Sequence, residues 1–364
     1  MGPLRGLKII EVSGLGPGPF CGMLLADLGA DVVCVDRAGP PLLEPAKDCT
    51  RRGKRSIILD LKKEADQSTF LRLVEKADAV FEGFRPGVME KLGLGPDECM
   101  AVNPRLIYGR ITGWGQSGCL SQSAGHDINY ISLTGALAAI GKRDEKPVVP
   151  LNLVGDFGGG ALFLALGIVS ALLEAKTSGR GQVIDAAMTD GSALLMSLFH
   201  SLSAQGKWTT ERGGNLLDGG AHFYDVYETS DGEYVSIGAI EPQFYALLLE
   251  KAGLNTDHFS PQNDKELWPE FQLKLRAVFK ARTRREWCEL LEGTDACFAP
   301  VLNFEEAVDH PHNRARSTYI DVAGMTQPAP APRFSRTHPE VAFAPHQPGA
   351  DLEYILEEWG IESA

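Results

Sequence analysis

Lys8-Ile9-Ile10-Glu11-Val12, then a turn with Gly14, Gly16 and Gly18, then Asp31-Val32-Val33-Cys34-Val35-Asp36 are the stretches whose reading decides the fold. Two short runs rich in β-branched residues flank a segment of helical character at 17–29, which is the βαβ unit of a parallel sheet. The alternation continues outward. Strands are expected at 56–61, 78–84 and 106–111, a helix at 63–77 and short helices within 87–103. Apolar helices follow at 125–141 and 155–176, then a strand at 182–186 and a long helix near 188–206. The predicted class is α/β, with a large doubly wound domain. After the glycine-rich 207–221 the pattern changes to aromatic strands near 223–229 and 233–239 and helices at 241–253, 266–281 and 283–292, the pattern of a smaller α+β domain. The expected boundaries are a large domain of 1–190 completed by 330–364, a linker helix and loop at 191–221, a small domain at 222–318 and a return linker at 319–330. Residues 328–348, proline-rich and without periodicity, read as an extended path ending in a short helix at 351–359. No internal repeat is visible.

With 364 residues the chain has room for two cores. A net charge of -13 argues against nucleic-acid binding and against adhesion to anionic lipid, while leaving room for a local basic pocket. Seven cysteines are scattered without a C-x-x-C pair, so neither a disulfide framework nor a zinc site is expected, and a reducing, cytoplasmic compartment fits. No signal-peptide or transit pattern precedes Lys8, and Glu362-Ser363-Ala364 is not a peroxisomal S-K-L signal. The apolar run Ala161 to Leu173 is short for a membrane span and reads as a buried helix.

Gly14, Gly16 and Gly18 invite a dinucleotide-binding reading. The G-x-G-x-x-G spacing fails at Pro19, and Pro17 removes a backbone donor, so a tight strand-to-helix turn is the better account. Arg51-Arg52-Gly53-Lys54-Arg55, Arg37, Arg85 and Lys91 are placed near expected strand ends, where open α/β sheets bind ligands; they are either a solvated basic surface or the grip for a phosphorylated ligand such as coenzyme A.

Gly125-His126-Asp127-Ile128-Asn129-Tyr130 and Leu153-Val154-Gly155-Asp156-Phe157 carry the chemistry. His126 and Asp156 are each expected to open a helix, where free N–H groups and the positive dipole end favour a developing anion. Each is either a cap or an acid/base group. Glu241, where a strand passes to a helix, is placed to orient an imidazole. The Asp127 backbone N–H is a candidate donor to a thioester oxygen. Asp156 beside Phe157 and a glycine run has an apolar surround that favours the protonated acid.

Nearly the whole chain resembles the α-methylacyl-CoA racemase family of the class III CoA-transferase superfamily, most specifically in Gly125 to Tyr130 and in Gly238-Ala239-Ile240-Glu241-Pro242-Gln243-Phe244-Tyr245. The resemblance implies the class III CoA-transferase fold and an interlocked homodimer, with each active site between the large domain of one chain and the small domain of the other. It implies His126 and Asp156 as proton-transfer residues on opposite faces of the α-carbon and Glu241 holding His126; beside it, the backbone donors at the start of the 126 helix, Asp127 among them, are read as holding the enolate. It places Arg37, Ile58, Leu59, Asp60, Leu61, Lys91, Gly125 and Tyr130 against coenzyme A, with Lys91 standing where some relatives have Arg; Arg85 joins them as a candidate from its place after an expected strand. The activity so implied is interconversion of (2R)- and (2S)-2-methylacyl-CoA by 1,1-proton transfer through an enolate. Coenzyme A is then part of the substrate, and no metal or other cofactor is expected. Two alternatives remain: a class III CoA transferase with Asp156 as acyl-carrying nucleophile, and an acyl-CoA-binding protein without turnover. Only seven methionines are present, and no methionine patch for an acyl tail is evident.

Overall fold

The computed structural model describes residues 2–40 and 43–361, so the C-terminal Glu362-Ser363-Ala364 reading lies outside the described residues. The chain divides into two compact units, Met1–Thr134 with Leu151–Leu195 and Ala315–Ala364, and Gly135–Pro150 with Met196–Arg314.

The first unit is built on six parallel strands: β1 (Lys8–Val12), β2 (Asp31–Asp36), β3 (Lys54–Ile58), β4 (Ala79–Glu82), β5 (Ile107–Thr112) and β6 (Gln182–Ala187), in the order β3-β2-β1-β4-β5-β6. Its helices include α1 (Pro17–Asp27), α2 (Glu64–Lys76), α3 (Val88–Lys91), α4 (Pro96–Val102) and α5 (Asp127–Leu133). Strands buried on both sides need apolar side chains at consecutive positions, because successive residues face opposite ways. Ile10, Val33 and Val80 join α2 in one core, together with Tyr108 and the C-terminal Ile355 and Trp359. Their neighbours Ile9, Val32 and Ala79 join α1 in the other. The strand order reverses between β1 and β4, whose carboxyl ends therefore open a crevice.

The single helix expected at 125–141 is broken at Gly135, at φ +81°, where the second unit begins, so α5 is separate from α6 (Ala136–Ala139). The excursion 135–150 is fastened within its own unit by Arg212, whose guanidinium donates to the carbonyls of Ala138 (2.7 Å), Lys142 (3.3 Å) and Glu145. The next helix starts earlier than the sequence suggests. A π-helix over Leu153–Ala161 runs into α7 (Leu162–Ser178), so Asp156 lies inside the first turn and is not its cap. Together they make a continuous 26-residue helix that is long and apolar enough to cross a membrane. It is buried on one face only. Leu164 and Ile168 pack on β5 at Gly109, where a Cβ would come within 2.8 Å of Leu164, while Leu162, Leu166 and Leu173 are 50–69% exposed.

The single helix expected at 188–206 is two, α8 (Met188–Leu195) and α9 (Ser197–Ala204), and the break coincides with the unit boundary. The second unit holds an antiparallel sheet of β7 (Tyr224–Glu228), β8 (Tyr234–Gly238) and β9 (Phe298–Pro300), with α10 (Pro242–Lys251), α11 (Trp268–Phe279) and α12 (Arg284–Leu291) sharing a core with Phe223, Tyr227 and Val235. The 319–330 return segment is not featureless. It is a hairpin of β10 (Tyr319–Val322) and β11 (Met325–Pro328), and its turn residues Ala323 and Gly324 both have positive φ, as a twist-matched two-residue turn requires.

Candidate active site

A cleft of about 610 Å³ opens at the β1/β4 reversal, lined by Gly14 to Gly18 after β1, Gly83 to Pro86 after β4, Thr112 to Trp114 after β5, and Gly125, His126, Tyr130 and Asp156. The parallel topology puts three sequence-distant strand ends at one rim, where 125–130 and Asp156 join them. His126 and Asp156, which sequence can only list separately, share this cleft, and the imidazole and the carboxyl interact electrostatically.

His126 is exposed and stands one residue before α5, where the Asn129 side chain accepts its backbone N–H at 3.0 Å. In the first turn the N–H groups of Asp127 and Ile128 have no intrahelical acceptor, so this end of α5 offers donors. Asp156 is half-buried. Burial pushes its carboxyl above the ordinary aspartate value and the nearby Asp127 charge adds to this, while the Asn152 side chain and His126 act in the opposite sense. Asn152 donates to Asp156 Oδ2 at 3.2 Å, and Gly16, at φ +69°, leaves room for the same oxygen, since a Cβ there would sit 2.9 Å from it. The apolar surround expected for Asp156 includes Phe157, which stacks on Phe20 of α1 at 4.5 Å between centroids.

The side chain of Asp127, and not only its backbone, is committed here. Its Oδ2 accepts the N–H groups of Gly155 (2.6 Å) and Asp156 (2.7 Å). Gly125 and Tyr130 form a packed corner: the Tyr130 hydroxyl donates to the Gly125 carbonyl, its ring meets Trp114 edge-on at 4.8 Å, and a Cβ at Gly125 would collide with both rings. Asn152, Gly16 and Trp114 are site residues that sequence reasoning missed. Asn152 precedes Asp156 by one helical turn, a signal hidden by placing the helix start too late.

The basic residues separate sharply. Arg51 pairs with Asp36 (2.6 Å), Arg52 is 2% exposed and grips Asp27 (2.6 Å) and the Gln327 and Pro328 oxygens, Lys54 is buried on Glu11 (2.6 Å), and Arg55 pairs with Asp31 and Glu358. This corrects the grouping of 51–55 as a phosphate grip. Lys54 and Arg55 begin β3, so they are at its amino end, and their charges neutralise carboxylates inside the domain. Arg37, immediately after β2, Arg85, on the cleft rim, and Lys91 are exposed. Arg110 bridges buried Glu82 (3.1 Å) and Glu90 (2.8 Å), bracing the 83–90 segment that carries Arg85. In 58–61, Leu59 is a core residue, Leu61 packs beside it, Ile58 is exposed, and the Asp60 N–H is taken by Asp66. The side chain that remains available there is Ile58, since the Asp60 carboxylate accepts the Lys62 N–H at 3.2 Å and faces the Lys63 ammonium at 3.7 Å. Glu241 lies in the second unit, exposed, immediately before α10. Among the described residues no cluster of His, Cys, Asp and Glu could hold a metal ion.

The model of CoA-transferase family III matches residues 4–352. The chain belongs to that family. It is 50% identical over 360 residues to the alpha-methylacyl-CoA racemase of Mus musculus and 48% identical over 362 residues to that of Homo sapiens, covering 98% of this chain and 93% of each relative. Among solved structures it resembles a CAIB/BAIF family protein from Brucella suis (TM-score 0.83, 28% identity, 98% of this chain and 99% of that one) and Rv3272 from Mycobacterium tuberculosis (TM-score 0.80, 27% identity, 96% and 98%). The six-stranded sheet with its smaller second unit is thus the family III fold.

Proposed function

We propose that this family III member is an isomerase that interconverts (2R)- and (2S)-2-methylacyl-CoA thioesters by 1,1-proton transfer. The observation that carries the reading is His126 and Asp156 in one cleft, the carboxyl biased toward its protonated form. The thioester makes the C2 hydrogen removable. One of the two groups takes that proton as base, the electron pair passes into an enolate, and the other group, acting as acid, returns a proton to the opposite face of C2. The enolate oxygen is held by the first-turn donors of α5, the Asp127 N–H first. The thioester supplies the electron sink, so the step balances without metal or redox cofactor. Glu241 is proposed to orient His126. Arg37, Arg85 and Lys91 are proposed to hold the nucleotide end of coenzyme A, and the Lys91 ammonium would act there as a point charge and not as a bidentate fork.

A second copy of the chain is proposed to cover the exposed leucines of α7 and α8, Leu162, Leu166, Leu173, Leu194 and Leu195, whose apolar surface is costly to leave in water.

The test supplies one 2-methylacyl-CoA enantiomer, with no acceptor acid, in deuterated water. Deuterium at C2 by NMR is the expected result. Acyl movement that requires an acceptor would instead mark Asp156 as a transferase nucleophile, and binding without either would mark a carrier.

A further inference from the structure

Asp127 is 5% exposed, directly follows His126, and reaches the other half of the cleft. Its single bonded oxygen accepts two consecutive backbone N–H groups, those of Gly155 and Asp156, in the first turn of the π-helix. The first N–H groups of any helix lack intrahelical acceptors, and here they stand at the positive end of a 26-residue helix. Left free, those donors would stabilise Asp156 as a carboxylate, because Asp156 belongs to the same turn. Gly155 is cut to fit the arrangement: a Cβ there would lie 2.6 Å from the Asp127 Oδ2 and 2.8 Å from its Cγ.

We propose that the Asp127 carboxylate is a positioning residue, a latch that ties the start of α5 to the π-helix, occupies its leading donors, and so holds Asp156 against His126 as an acid able to donate its proton. Two effects reinforce one another. The bonds fix the main chain of one proton-transfer residue to the residue following the other, and the latch places a negative charge beside Asp156, which opposes its ionisation. The direction for Asp156 agrees, with burial the larger cause of its upward shift and Asp127 contributing to it. The other groups facing Asp156 are the Asn152 amide, His126, and the Tyr130 hydroxyl, which is spent on the Gly125 carbonyl. From α1 the approach is by uncharged Gly16, and α8 brings Met188 to the same cleft.

The experiment compares the parent protein with Asp127→Asn and Gly155→Ala. An asparagine oxygen in the Oδ2 position keeps both hydrogen bonds and removes the charge, while its amide nitrogen takes the place of the buried, unpartnered Oδ1. In Asp127→Asn the midpoint of the Asp156 carboxyl, followed by carbon-13 NMR in ligand-free protein, should fall by about one pH unit, the scale of a close like-charge effect. The limb of the pH profile of kcat/KM for racemisation that reports Asp156 should move the same way. In Gly155→Ala the latch is pushed open with its charge intact, and kcat should drop on the order of tenfold to a hundredfold with KM little changed. An Asp156 midpoint that stays put in folded Asp127→Asn overturns the proposal. If Asp127→Asn does not fold, unchanged kcat in Gly155→Ala overturns it. The inference rests on the racemase reading only for its kinetic arm: a parent protein that does not racemise, yet shows the shifted Asp156 midpoint, refutes that reading and leaves the latch standing.

Discussion

Replacing Lys54 by methionine separates a structural cation from a ligand-binding one. Lys54 and Glu11 are 2% and 1% exposed and 2.6 Å apart, with the Glu11 carboxylate seated where Gly22 of α1 leaves room for it. Removing the ammonium leaves a carboxylate buried without its counter-ion, which costs about 3–5 kcal/mol. For a unit of this size each kcal/mol corresponds to roughly 2–4 °C, so the melting temperature should fall by about 6–20 °C. The loss should depend on pH. Burial already holds the Glu11 carboxyl above its ordinary value despite Lys54, and without Lys54 it must rise further. A carboxyl whose folded pKa exceeds its unfolded one binds more protons in the folded state, so stability falls as pH rises between the two values. The Lys54→Met penalty should therefore be largest near neutrality and shrink on acidification toward the ordinary glutamate range, and Glu11→Gln in the same chain should recover part of it. Thermal unfolding from pH 4.5 to 8, with calorimetric titration of coenzyme A into the folded variant, measures both sides. An unchanged melting temperature with lost coenzyme A affinity would refute the reasoning and return Lys54 to the ligand pocket.

His126→Ala and Asp156→Ala should each lower racemisation by about 10²–10⁴-fold, measured by loss of optical activity, and an undiminished rate in either would reduce that residue to a helix-turn fixture. Arg37→Ala, at the exposed end of β2, should weaken coenzyme A binding on the order of tenfold to a hundredfold and flatten its salt dependence; calorimetry at two ionic strengths checks both. In the second unit burial pushes the fully enclosed His222 imidazole down to about 4, so it folds neutral. The unfolded chain then binds the extra proton first, and stability should fall as pH drops from about 6.5 to about 4, by about 3 kcal/mol at most. Denaturant unfolding at several pH values should show that slope, and His222→Phe should remove it.

The β1 and β2 runs were legible because a strand buried on both faces needs apolar residues at consecutive positions, and Ile9/Ile10 and Val32/Val33 do divide between the two cores. The His126 and Asp156 strings were legible as candidates, each either a helix cap or an acid/base group, from their residue types beside expected helix starts and glycines. Less visible were features whose signals come from elsewhere in the chain. The β10/β11 hairpin turns on Ala323-Gly324, a weaker signal than Asn-Gly, and is gripped by Arg52 from a distant loop. The start of the π-helix at Leu153 depends on an acceptor supplied by Asp127, which no local pattern within 153–161 contains.

What the sequence by itself determined is the alternation of elements and the list of candidate reactive side chains, since periodicity and residue chemistry are local properties. Only the tertiary structure decided which charges are free. A run such as Arg51 to Arg55 reads the same whether its partners are water, phosphate or carboxylates, and Asp36, Asp27, Glu11 and Asp31 reach it from β1, α1 and β2 only once the parallel sheet has formed. The reversal of strand order at β1 and β4 likewise brings His126 and Asp156 to one rim, because the site is made by adjacency in the sheet and not by adjacency along the chain.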